Sequence, residues 1–139
     1  MNSTIAAIIL AATPAAALSQ PAAAAIEGHW KNPSGTAIIA IGPCGESLCG
    51  KVAWASKRGQ REASPGAAEV VGTTVLTNLK PARGHWTGKL FIPDDNVHVS
   101  AKLEPVGGRA LKLTGCAFAG IFCRSQVWTR FDGPLPGAD

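Results

Sequence analysis

The chain is 139 residues long, with 13 basic and 9 acidic side chains and a formal charge of +4. That length fits one domain, and 16 glycines with 10 prolines argue against a helical bundle or a coiled coil. The densest basic group, Lys57, Arg58 and Arg61, is diluted by Glu62 and Glu69 and carries no interleaved aromatics, which argues against a nucleic-acid face.

In chain order, the first feature is an uncharged apolar run from Ile5 to Leu18, followed by small residues from Ser19 to Ala25. This is the pattern of a secretory signal peptide over residues 1–25, with cleavage favoured after Ala24 or Ala25. Its leading Met1-Asn2-Ser3-Thr4 has no lysine or arginine, so the amino terminus alone supplies positive charge. An uncleaved anchor is the rival, but Pro14 and the alanine-rich composition make a weak spanning helix. The mature protein is therefore expected in the periplasm or secreted, without a transmembrane span.

The 4 cysteines fit that compartment. They fall into two local pairs, and of the three possible connectivities Cys44–Cys49 with Cys116–Cys123 is favoured, because each pair flanks glycine-containing residues able to turn the chain. Neither pair has the two-residue spacing of a zinc site, and a redox Cys-x-x-Cys is absent.

The body, residues 26–133, reads as short strands. Thr36–Ile41 is rich in β-branched residues and stops at Gly42-Pro43. Leu48, Gly50, Val52 and Trp54 alternate with Cys49, Lys51 and Ala53, the period of a half-buried strand. Ser56–Glu69 is polar, with glycine and proline, and reads as a long loop. An apolar piece, Val70–Leu79, follows. Trp86, Gly88, Leu90 and Ile92 alternate next, then Pro93-Asp94-Asp95-Asn96 supplies a hairpin turn. Val97, Val99, Ala101 and Leu103 form the cleanest amphipathic strand. Gly107-Gly108 turns the chain into Leu111 and Leu113, and Arg124–Phe131 is the last strand before a tail, 134–139, expected to be disordered. About eight short strands with turn signals every 8–12 residues, and no convincing amphipathic helix, predict an all-β fold. Closing the meander removes its exposed edges, so a small antiparallel up-and-down β-barrel is the first choice and an open sandwich the second.

Several of these residues together resemble a known family. Cys44-Gly45-x-x-Leu48-Cys49-Gly50-Lys51, Trp86-x-Gly88, Gly115-Cys116 and Trp128-Thr129-Arg130, in that order, resemble the bacterial domain-of-unknown-function family DUF2147. The likeness spans roughly residues 27–131 and implies a small exported protein. Where the family carries Pro-x-x-Gly-x-x-Tyr, this chain has Pro93-Asp94-Asp95-Asn96-Val97-His98. A second likeness concerns architecture: Gly28-x-Trp30 with Arg130 in the last strand is similar to the calycin pattern of lipocalins. That likeness implies a barrel-closing contact in which Arg130 packs over Trp30.

Little points to catalysis. His29, His85 and His98 occur singly, and no nucleophile elbow, metal-binding helix motif or phosphate loop is present. Asp94 and Asp95 lack the spaced oxygen ligands of a calcium loop. No enzyme activity, cofactor or metal is expected. The sharper expectation is a cavity lined by Trp54, Trp86, Val99 and Leu113, holding a small apolar or amphipathic ligand in a monomeric, lipocalin-like barrel. The plainer reading is that these side chains simply fill the interior. The alternative function is contact with anionic envelope components through the basic loop 56–69.

Overall fold

The computed structural model describes Ala23 and residues 25–137. The expected signal peptide therefore lies almost wholly outside the described residues. Eight strands follow in order: β1 (Gly28–Lys31), β2 (Ala37–Cys44), β3 (Ser47–Ala55), β4 (Thr74–Ala82), β5 (His85–Ile92), β6 (Val97–Val106), β7 (Ala110–Ala117) and β8 (Phe122–Arg130). Each pairs antiparallel with the next, and β8 returns to β1, giving a closed up-and-down barrel. Among the described residues, no helix is long and apolar enough to cross a membrane.

The barrel closes through a short seam, Trp30 opposite Arg130 and Lys31 opposite Thr129. The Arg130 guanidinium lies 4.2 Å from the centre of the Trp30 ring. Its Nη1 donates to the Glu27 carbonyl (2.9 Å), Nη2 to Ala25 (3.2 Å) and Nε to Gly108 (3.3 Å). The Trp30 indole donates to the Ile26 carbonyl at 2.8 Å. Arg130 thus ties the residues before β1 and the β6–β7 turn to the rim, using donors that a lysine could not spread so widely. Gly28 makes room for it: its φ is +117°, and a Cβ there would sit 2.8 Å from Arg130 Nη1.

Above this seam the interior is solid. Ile26, Trp30, Leu48, Leu79, Trp86, Leu103 and Leu111 are all buried. Two irregularities set which side chains enter. Leu76 and Leu79 are both fully buried although three apart, a spacing that a regular strand cannot place on one face. The register of β4 on β5 shifts between Thr77 and Lys80, where Asn78 adopts φ 53°. Gly88 accommodates the kink, since a Cβ would lie 2.6 Å from the Thr77 carbonyl.

The second irregularity corrects the alternation expected of β3. Ile39 pairs with Val52 but Ile38 pairs with Trp54, so Ala53 is an extra residue. Beyond a bulge every side chain changes face. Val52 and Ala55 enter the core, and Trp54 stands on the outer face opposite Ile38, half-buried.

The Ser56–Glu69 stretch also departs from the expected plain loop. It contains a seven-residue helix, α1 (Lys57–Ala63). The Ser56 hydroxyl caps it by accepting from the Gly59 N–H at 3.0 Å, and Gln60 reaches back to the Ala55 carbonyl at 3.0 Å. A helix this short does not persist alone. It is held by burial of Ala63 and by close approach of Gly59 to the Thr36 carbonyl, where a Cβ would lie at 2.6 Å.

Of the two expected disulfides, Cys116–Cys123 is formed, between directly opposed residues. Cys44 and Cys49 are free thiols, a correction to the expected pairing. In the register Cys44 faces Ser47 and Cys49 faces Gly42, so the two are diagonal neighbours whose thiols touch without being bonded. Burial raises the Cys49 thiol pKa, helped by its contact with Cys44 and opposed by Lys51.

Replacing Arg130→Ala removes the ring contact and three charged donors together. It is expected to lower unfolding stability by about 2–3 kcal/mol in urea titrations, with a smaller loss for Arg130→Lys.

Candidate functional site

The two ends of the barrel differ. At the seam end lie the β2–β3, β4–β5 and β6–β7 turns together with Arg130. At the other end lie the β1–β2 loop, α1, the β5–β6 turn and the β7–β8 turn. There the interior is hollow. Two adjoining depressions, of about 320 and about 560 Å³, share Leu90, Ile92, Leu113 and Gln126. Volumes of this order suit a small ligand.

The hollow arises from what three strands place inward. Register pairs Leu90 with Val99, Leu113 with Gln126 and Leu111 with Trp128. Counting in twos along β8 from the buried Trp128 gives Gln126, Arg124 and Phe122 as the inner face. That wall therefore grades from indole through amide to guanidinium as it nears the mouth. Gly115 opposes Arg124, and a Cβ there would meet Leu90 and Val99 at 3.2 Å each. The glycine lets those two side chains seat, and it leaves no bulk across from Arg124.

Gln126 Oε1 accepts from the Trp128 indole at 2.9 Å, which leaves the Gln126 amide donors facing the hollow. Among the described residues, Arg124 makes no ion pair. Across the mouth stand acids. Glu62 is paired with Arg58 at 2.7 Å, while Asp94 and Asp95 occupy the β5–β6 turn. The Asp94 carboxyl pKa is raised, first by burial, then by Glu62 and Asp95, against the pull of its own backbone N–H. The β1–β2 side is a tight polar knot. Asn32 Oδ1 accepts from the N–H groups of Thr36 (2.9 Å) and Ala37 (3.0 Å), and its amide donates to the Thr36 hydroxyl (2.9 Å).

Of the four residues expected to line a cavity, the structure brings two together. Val99 and Leu113 both line the larger depression. Trp86 is buried in the solid half, and Trp54 is on the outer face beyond the bulge. The interior is thus filled at one end and hollow at the other. Gln126, Arg124 and Trp128 are lining residues that the sequence reading passed over, although period two from Trp128 marks them. Among the described residues, no group of three or more potential ligands could hold a metal ion. His85 and His98 do not enter the hollow: His85 Nδ1 lies 2.9 Å from the Arg83 carbonyl and His98 stacks on Phe91.

A closed eight-stranded antiparallel barrel, solid at an arginine-over-tryptophan seam and open opposite it, defines a lipocalin-like architecture. The family model for an uncharacterized protein conserved in bacteria (DUF2147) matches residues 28–130, and the chain belongs to that family. Among solved structures, the chain is similar to protein HP1028 from the human pathogen Helicobacter pylori, described as belonging to the lipocalin family. The TM-score is 0.59 at 11% identity, covering 77% of this chain and 83% of that one. At that identity the likeness establishes the fold alone. No curated protein matches the sequence. A bacterial family and a formed disulfide are together consistent with export.

The raised Asp94 carboxyl has a consequence for stability. The folded state holds that proton more tightly than the unfolded chain, so stability falls as pH rises through the carboxylate range. Asp94→Asn is expected to raise the thermal midpoint slightly at neutral pH, and the difference from wild type should vanish once both states are protonated in acid. A calorimetric pH series checks it.

Proposed function

We propose that this protein is a non-enzymatic, exported binding protein that holds a small apolar or amphipathic molecule in the open half of its barrel. The observation that carries this reading is the hollow itself, walled by Leu90, Ile92, Val99, Leu113 and Trp128. Packed interiors seldom leave voids larger than a water molecule, and this one opens to solvent through a mouth with its own polar groups. An apolar body would rest on the aliphatic wall. A polar or anionic end would meet the Gln126 amide and Arg124, with a charge-assisted contact contributing roughly 1.5–3 kcal/mol. Export to the periplasm or beyond rests on the signal-like segment 1–25. The protein acts as a monomer in this reading, and Trp54 and Trp86 support the barrel without touching the ligand.

The rival surface reading, through basic loop 56–69, is weakened by the Arg58–Glu62 pair, which neutralises part of the group.

The test is a fluorescence titration with an uncharged probe, N-phenyl-1-naphthylamine, and with a long-chain fatty acid. Saturable binding with quenching of tryptophan emission is expected. Val99→Trp, which fills the hollow, should abolish binding while leaving the circular dichroism spectrum unchanged. Arg124→Ala should weaken the fatty acid about tenfold or more and leave the naphthylamine within about twofold. Undiminished binding to a folded Val99→Trp variant would overturn the reading.

A further inference from the structure

The β7–β8 turn is at odds with the rest of the surface. Phe118, Ile121 and Phe122 are 75%, 75% and 66% exposed, more than any other large apolar side chains among the described residues. They are neighbours at one tip, and the Phe118 and Phe122 rings stand edge to face with centroids 5.6 Å apart. A tight hairpin turn needs residues with positive φ, a place normally taken by asparagine or glycine. Here Phe118 (φ 52°) and Ala119 (φ 55°) occupy it, followed by Gly120 (φ 86°). A bulky residue in that conformation is uncommon and strained. Strain of this kind persists where something else requires the side chain.

Two further features give the tip a direction. The Cys116–Cys123 disulfide joins directly opposed residues just behind it, so the two strands cannot part there. Between Thr114 and Ser125 the single charged residue is Arg124, immediately behind the apolar cluster. An apolar edge backed by a cation matches the layering of an anionic lipid surface, acyl region first and phosphate next; the nearest acid, Asp95, sits on the neighbouring β5–β6 turn.

We propose that the β7–β8 tip is a membrane-docking element that inserts Phe118, Ile121 and Phe122 into an anionic bilayer, with Arg124 at the level of the lipid phosphates. A second copy of the chain is the poorer occupant. The three side chains expose on the order of 400 Å², so two tips face to face would bury only about 800 Å², the scale of a non-specific contact. A bilayer needs no complementary surface. The tip also forms one lip of the hollow, since Phe122 and Arg124 line both, so docking would bring the barrel mouth to the lipid. The docking stands whether or not the barrel binds a ligand.

The experiment is co-sedimentation of the full, oxidised protein with vesicles of phosphatidylcholine alone or with 30% phosphatidylglycerol, read beside sedimentation velocity without lipid. Binding to the anionic vesicles is expected. Phe118→Ser combined with Ile121→Ser should reduce the partition coefficient at least tenfold with no change in the thermal midpoint. Arg124→Ala should reduce it severalfold and flatten its salt dependence. A Phe122→Trp reporter should shift to the blue on binding and be quenched by brominated acyl chains. Absence of wild-type binding, equal binding by the double variant, or a wild-type dimer that the double variant dissolves without any vesicle binding would each overturn the proposal.

Discussion

The stacking of Arg130 on Trp30 is the contact on which the rest of this barrel depends. A meander of short strands has two edges, and the seam joining them here is only two residue pairs long. Backbone hydrogen bonds over so short a seam would be a weak lock. The guanidinium strengthens it by lying across the indole and donating to carbonyls on both sides. That end is plugged by the buried Ile26 and Trp30. The opposite end is then free to stay open. Solid and hollow halves follow from one asymmetric closure.

The hollow is shaped by residues that are small as much as by those that are large. Gly115 leaves space across from Arg124, and Gly59 and Gly66 let α1 and its flank lie close on the rim, where side chains would collide with Thr36 and Pro93. The rim is divided in chemistry. Its β1–β2 and β5–β6 sides are polar and acidic, and its β7–β8 side is apolar with one arginine. A molecule entering from water and one entering from a lipid surface would meet different lips.

Much of this was legible in the sequence, and the exceptions have physical causes. Strand number and the hairpin turns at Gly107-Gly108 and Pro93–Asn96 were carried by local signals, while the family and the closing contact of Gly28, Trp30 and Arg130 came from resemblance to known families. Trp54 was misplaced because period two assumes an unbroken ladder, and a bulge at Ala53 leaves no mark in composition. The short helix α1 was missed because Lys57–Ala63 is polar, contains Gly59, and has helical shape only through contacts with Thr36 and the barrel rim. Sequence spacing brings Cys44 and Cys49 near, and strand register sets them diagonally as free thiols in contact. Cys116 and Cys123, with the same kind of spacing, do oppose. On β8 the inner face could have been read by counting from Trp128, but exposed arginine and glutamine at a mouth look like any solvated face until the opposing wall is seen.

The central claim is that one half of the barrel is solid and the other receives a ligand, and the four tryptophan indole N–H signals report on both halves. In a nitrogen–proton correlation spectrum titrated with an apolar ligand, the Trp128 indole and the amides of Leu90, Val99, Leu113 and Gln126 should move together and saturate. The Trp30 indole, bonded to the Ile26 carbonyl, should stay fixed. Movement of Trp30 with Trp128, or shifts confined to the outer face around Trp54, would contradict the account.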